Sequence, residues 1–266
     1  MTIQNNGDAG IAAENGASVL LGGGSTITGT HQGIRALGAT VSIQDATIST
    51  SPTSGDPAIL AYRSTIGLIS ATVTGANNAN TVAALSGSNI ILGQSMLQSS
   101  DATDATLLVS DGSSVLSFGA NTYENDAVNG AAVTVQNGST FIEDQNAVVK
   151  ANSLSAGADS FIGAGTVQMQ SNMELGTGAT TPSNWTGSIS VAQNSSFRLH
   201  GGITISGGVT IGQGSNGFFN KTAGGTNTVN GTHVACLGTA STHIVGNAAV
   251  TPNVTLVTTG AGCYSF

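Results

Sequence analysis

The chain has 266 residues, of which 7% are charged, 39% are hydrophobic and 38 are glycine, and its formal net charge is -8. Five Lys and Arg against 13 Asp and Glu give the wrong sign for neutralising a phosphate backbone, which argues against nucleic acid as a partner. No apolar run approaches the roughly 20 residues that span a bilayer, and residues 1–6 have neither the charged nor the apolar region of a signal peptide, so membrane insertion is not expected.

Taken in chain order, short apolar segments recur. Ile11, Ile34, Ile59, Val82, Leu107 and Val133 follow one another at steps of 23, 25, 23, 25 and 26 residues. A second column keeps pace through Val19, Val41, Ile66, Ile90, Val115 and Phe141, and a third through Ile27, Ile48, Val73, Leu97, Tyr123 and Val148. Within each segment polar and apolar residues alternate, as in Thr40-Val41-Ser42-Ile43, which is the period of a strand with one buried face. Just before the second column lies a repeated turn beginning at Gly16, Gly38, Gly87, Gly112 and Gly138, and only Arg63-Ser64-Thr65-Ile66 departs from it. Glycine enters left-handed backbone conformations without steric cost, so a corner made at the same place in every coil selects it. Three columns rising together predict a right-handed parallel β-helix of about 24 residues and three strands per coil. Helical repeats fare badly, because glycine costs about 1 kcal/mol against alanine inside a helix and the segments are too short.

Beyond residue 150 the register loosens. Phe161 and Phe197 are the candidates to continue the second column, and the turn-rich stretch containing Thr181-Pro182-Ser183-Asn184 predicts a loop insertion near residues 171–187. The organisation expected is one solenoid over residues 1–224, with residues 225–266 forming its last coil and a C-terminal cap.

With the coils aligned, residues 33–73, which contain Gly-Ala-Thr-Val-Ser-Ile, Ala-Thr-Ile-Ser and Ala-Thr-Val-Thr, resemble the pertactin-like passenger domains of bacterial autotransporters. The similarity spans roughly residues 10–150. Phage tailspikes and pectin-lyase-like enzymes share this architecture, and the ending Cys263-Tyr264-Ser265-Phe266 suits a tailspike segment. What the resemblance implies is recognition of a host surface or glycan at a bacterial cell surface or on a virion, with a monomer for passengers and a homotrimer for tailspikes. The chain would then be a piece of a longer exported protein or a phage part assembled in the cytoplasm.

Candidate chemistry is sparse. An inverting glycosidase needs two carboxylates about 6.5–9.5 Å apart. Asp101 and Asp104 follow Leu97, and Asp126 follows Tyr123, so these acids fall in the same loop of neighbouring coils; the competing reading is that each makes its own turn. A lyase would need a positive group at that edge, whereas Arg35, Arg63, Lys150, Arg198 and Lys221 are scattered. Trp185, the one tryptophan, lies in the predicted insertion and would either stack on a sugar or cover the coil. Cys236 and Cys263 lie 27 residues apart, close to one coil, which leaves a disulfide and two free thiols both open. His233 and His243 would add ligands for zinc, but their spacing is irregular and no metal or other cofactor is expected. Gly212-Gln213-Gly214-Ser215-Asn216-Gly217 matches a dinucleotide fingerprint in form only, since no helical pattern follows it. The leading expectation is a non-catalytic recognition module that binds a polysaccharide or cell-surface glycan; a glycan-degrading hydrolase and an inert spacer are the alternatives.

Overall fold

The computed structural model describes residues 1–143 apart from residues 6, 102, 120, 128–131 and 136, and between residues 148 and 258 the backbones of the strands. The chain is an all-β parallel solenoid with coils of about 24 residues, and each coil contributes one strand to each of three parallel sheets. The first sheet stacks Ile11–Glu14, Ile34–Leu37, Ile59–Tyr62, Val82–Leu85, Leu107–Val109 and Val133–Val135. The second stacks Ser18–Leu21, Thr40–Gln44, Thr65–Ile69, Asn89–Gly93, Ser114–Phe118 and Thr140–Glu143. The third begins one strand earlier, with Thr2–Asn5, and continues through Ser25–Gly29, Ala46–Thr50, Thr72–Thr74, Met96–Ser99 and Thr122–Asn125 to Val148–Ala151.

The register places the anchor columns directly on one another. Ile34 pairs with Ile59, Val82 with Leu107, Ile66 with Ile90 and Ile48 with Val73. From the second coil to the sixth, every column residue in the first two sheets is at most 1% exposed, as are Ile27, Ile48, Val73, Leu97 and Tyr123 of the third. Each such side chain contributes about 1.5–3 kcal/mol by leaving water. Ile11 and Val19 are only half-buried, because the strands carrying them have a neighbour on one side alone.

Two column assignments shift. Tyr123 pairs with Val149, so the third column continues there and not at Val148. Phe141 pairs with Met173, which in turn pairs with Phe197. Met173 therefore fills the slot expected for Phe161, and the extra length lies between Phe141 and Met173. Val148 and Val149 are consecutive apolar residues between which alternation does not choose, whereas Met173, flanked by Asn172 and Glu174, is displaced by the extra length that precedes it. Within the stretch read as an insertion, Asn172–Leu175 and Ser183–Trp185 are strands, and Ser183–Trp185 begins a separate three-stranded sheet with Ile203–Ile205 and Thr228–Val229. Of the expected cap, only strand segments such as Val234–Cys236 and Ser241–Val245 fall within the described residues.

The glycine corner is left-handed throughout. Asn15-Gly16, Ser86-Gly87, Asp111-Gly112 and Asn137-Gly138 are consecutive pairs with positive φ, whereas the second and third coils turn on single residues, Gly38 at +63° and Arg63 at +50°. The residue after each corner faces inward and carries a hydroxyl in four successive coils. Ala39 N–H donates to Ser64 Oγ at 3.1 Å, Ser64 N–H to Ser88 Oγ at 3.2 Å, Ser88 N–H to Ser113 Oγ at 3.1 Å and Ser113 N–H to Ser139 Oγ at 3.2 Å. Amides that leave the strand ladder are thus satisfied by a buried file of serines. Ala39 offers no hydroxyl to the coil before it, and there the Ala17 amide donates to Glu14 O within its own corner.

A second left-handed corner separates the second and third sheets at Gly24, Asp45, Ser70, Gln94 and Gly119. Core volume is exchanged across this corner: Ser117 pairs with Leu92 at an inward position, and Tyr123, stacked on Leu97, hydrogen-bonds the Ser117 hydroxyl while meeting Phe141 edge-on at 5.6 Å.

Candidate functional site

The connections from the third sheet to the next coil's first strand are the variable edge of the solenoid. They run from Gly29 to Ile34, Thr50 to Ile59, Thr74 to Val82, Ser99 to Leu107 and Asn125 to Val133. Neighbouring loops are tied together by side chains: His31 Nδ1 lies 3.0 Å from Asp56 Oδ2, Asn80 Nδ2 donates to Asp104 Oδ1 at 3.0 Å, and Ser100 Oγ donates to Asn77 Oδ1 at 2.5 Å. Loops anchored in this way on stacked strands present a firm flank.

Asp101 is 2% exposed and builds its own loop. Its Oδ1 accepts the Thr103 amide at 2.6 Å, the Thr103 hydroxyl at 2.8 Å and the Asp104 amide at 3.0 Å. Burial acts to raise the carboxyl pKa, but the amides of Thr103, Asp104 and Ala79 and the Thr103 hydroxyl outweigh it and hold the group below the ordinary aspartate value. Oδ2 is buried and accepts no hydrogen bond of normal geometry. Asp104 is committed as well. Its carboxylate accepts Asn80 Nδ2 and, at 3.3 Å, the Thr103 hydroxyl, and its carbonyl accepts Asn125 Nδ2 at 3.2 Å.

Asp126 stands apart from this pair. Its amide donates to Ser99 O at 2.9 Å, and its exposed side chain borders an open depression of about 180 Å³ lined also by Thr74, Gly75, Gln98, Ser99 and Ser100. Thr74 and Gln98 are register partners, so the depression is built from equivalent positions of successive coils. Gly75 has no room for a side chain, since a Cβ there would lie 2.3 Å from Thr81 Oγ1. Neither Asp101 nor Asp104 lines this depression. Coil alignment singles out the three acids and passes over Thr74 and Gln98, which the third column places side by side, and Ser100, two residues further along the same edge.

This geometry suits hydrogen bonding more than proton transfer. A general acid in glycoside hydrolysis needs a raised pKa, and the shift at Asp101 runs the other way. No group of three or more His, Cys, Asp or Glu arranged to hold a metal occurs among the described residues. Trp185 ends the strand Ser183–Trp185 in register with Ile205, and its ring lies outside the described residues. Cys236 ends a first-sheet strand aligned with Ile211 and Thr258, while His243 sits on the second sheet; Cys263 and His233 lie outside the described residues. The glycine-rich match at residues 212–217 runs into the strand Asn216–Asn220, where a nucleotide fingerprint would require a helix. No protein family, curated protein or solved structure matches the chain.

Proposed function

We propose that the chain is a non-catalytic recognition module, an adhesin-like or tailspike-like β-helix displayed on a cell or virion surface, which holds a polysaccharide or cell-surface glycan against its loop edge. The observation that carries this reading is the division of labour among the acids. Asp101 and Asp104 are spent on loop structure, and the neighbouring depression is lined by the Thr74 hydroxyl, by Ser100 and Gln98, which also donate to Asn77 at 2.5 Å and to Glu124 at 3.3 Å and keep acceptor capacity, and by one carboxylate, Asp126. Neutral donors and acceptors at fixed spacing match the hydroxyls of a sugar, whereas a hydrolase needs two carboxyls poised in opposite protonation states. The likeness of the repeat to autotransporter passengers and tailspikes supports the reading by architecture alone. Affinity electrophoresis through gels containing different bacterial polysaccharides tests it. At least one polysaccharide is expected to retard the chain, and Gln98→Ala and Asp126→Asn should each weaken the retardation about tenfold without altering the circular dichroism. Unchanged mobility in every gel would refute the reading.

A further inference from the structure

A second depression, sharing no residue with the first, lies at the glycine corner between the first and second sheets. It has a volume of about 480 Å³ and is lined by Asn15, Leu37, Gly38, Tyr62 and Arg63. It coincides with a change in corner geometry. The second and third coils turn on one left-handed residue each, Gly38 and Arg63, while the first and fourth turn on two. Arg63 is the residue that replaces glycine in an otherwise glycine-bearing corner, and it accepts a positive φ that a side chain disfavours.

That substitution places a guanidinium 5.3 Å from the centre of the Tyr62 ring. Among the described residues Arg63 has no carboxylate partner. The nearest acid in the first-sheet register, Glu14, is engaged by Arg35 at 3.2 Å, and Asp111, further along the same corner, accepts Asn137 Nδ2 at 3.0 Å. An exposed planar cation with no carboxylate partner among the described residues, resting on an aromatic ring, is a pre-formed seat for a carboxylate. Leu37 and Tyr62 supply an apolar floor for the C–H face of a sugar, and Asn15 supplies a donor and an acceptor for its hydroxyls. We infer that the Tyr62–Arg63 notch binds a carboxylate-bearing saccharide, with Arg63 holding the carboxylate in a two-pronged hydrogen bond. The saccharide class rests on the recognition reading above; the carboxylate does not.

Titration calorimetry of the purified chain with a glucuronate-containing hexasaccharide, its carboxyl-reduced form and a glutamate hexapeptide tests the inference. The acidic hexasaccharide should bind, and the reduced form should bind about tenfold more weakly or not at all. Arg63→Gly restores the residue the corner otherwise uses, so the fold and thermal midpoint should be kept while binding is lost; Arg63→Lys, which keeps the charge without the fork, should bind weakly. Equal binding of the hexapeptide would overturn the saccharide assignment. Absence of binding, or binding unchanged in Arg63→Gly, would overturn the site. Because retardation of the chain through Gln98 and Asp126 is scored separately, loss of this site and loss of the recognition function give different results.

Discussion

At Asp101 burial and hydrogen bonding oppose each other, and hydrogen bonding wins. A carboxylate that accepts two amides and a hydroxyl on one oxygen works as a loop brace, and its lowered pKa carries a pH signature with a definite sign. The stabilisation is fully present above the unfolded aspartate value of about 4 and disappears as the pH falls through the lower folded value. Asp101→Ala should therefore cost about 2 kcal/mol at neutral pH in urea unfolding, and the gap between variant and parent should close on acidification below about pH 4. A gap that is absent at pH 7, or that widens in acid, would contradict the brace. Arg63 carries the complementary lesson. Its departure from the glycine pattern was visible in the sequence, but its stacking on Tyr62 depends on the local shape of a corner that spacing does not reveal.

Among the elements, legibility followed chemistry. The first corner could be read because glycine marks it in five coils. The second could not, because its left-handed residues include Asp45, Ser70 and Gln94, polar residues that sit equally well in a right-handed turn. Likewise Ser64, Ser88, Ser113 and Ser139 read as ordinary turn residues, yet they form the buried ladder that satisfies the amides between coils. Ser88 both accepts the Ser64 amide and donates to Leu85 O at 2.7 Å. Ser88→Ala should cost about 1–3 kcal/mol and speed hydrogen exchange at the Ser64 amide, while exchange at Ser113, whose acceptor is Ser139, should change little. Equal acceleration at both amides would show that the ladder does not act coil by coil.

Across the whole molecule, the three apolar columns were legible because each inward position of a solenoid repeats the environment of the last, so the sequence repeats as well. The loop edge escapes that constraint. Its residues answer to the neighbouring loop and to whatever they bind, which is why coil alignment puts Asp101, Asp104 and Asp126 on one loop edge, although the depression beside Asp126 is completed by Thr74, Gln98 and Ser100. The regular coils thereby supply a stiff support on which irregular loops and one altered corner present polar groups. The most direct test of this division is to incubate the chain for many hours with the polysaccharide that retards it and to measure the glycan's chain-length distribution. Retention with an unchanged distribution is the predicted result. Shortened chains, produced by the parent and not by the Asp126→Asn variant, would contradict it and make the loop edge an active site.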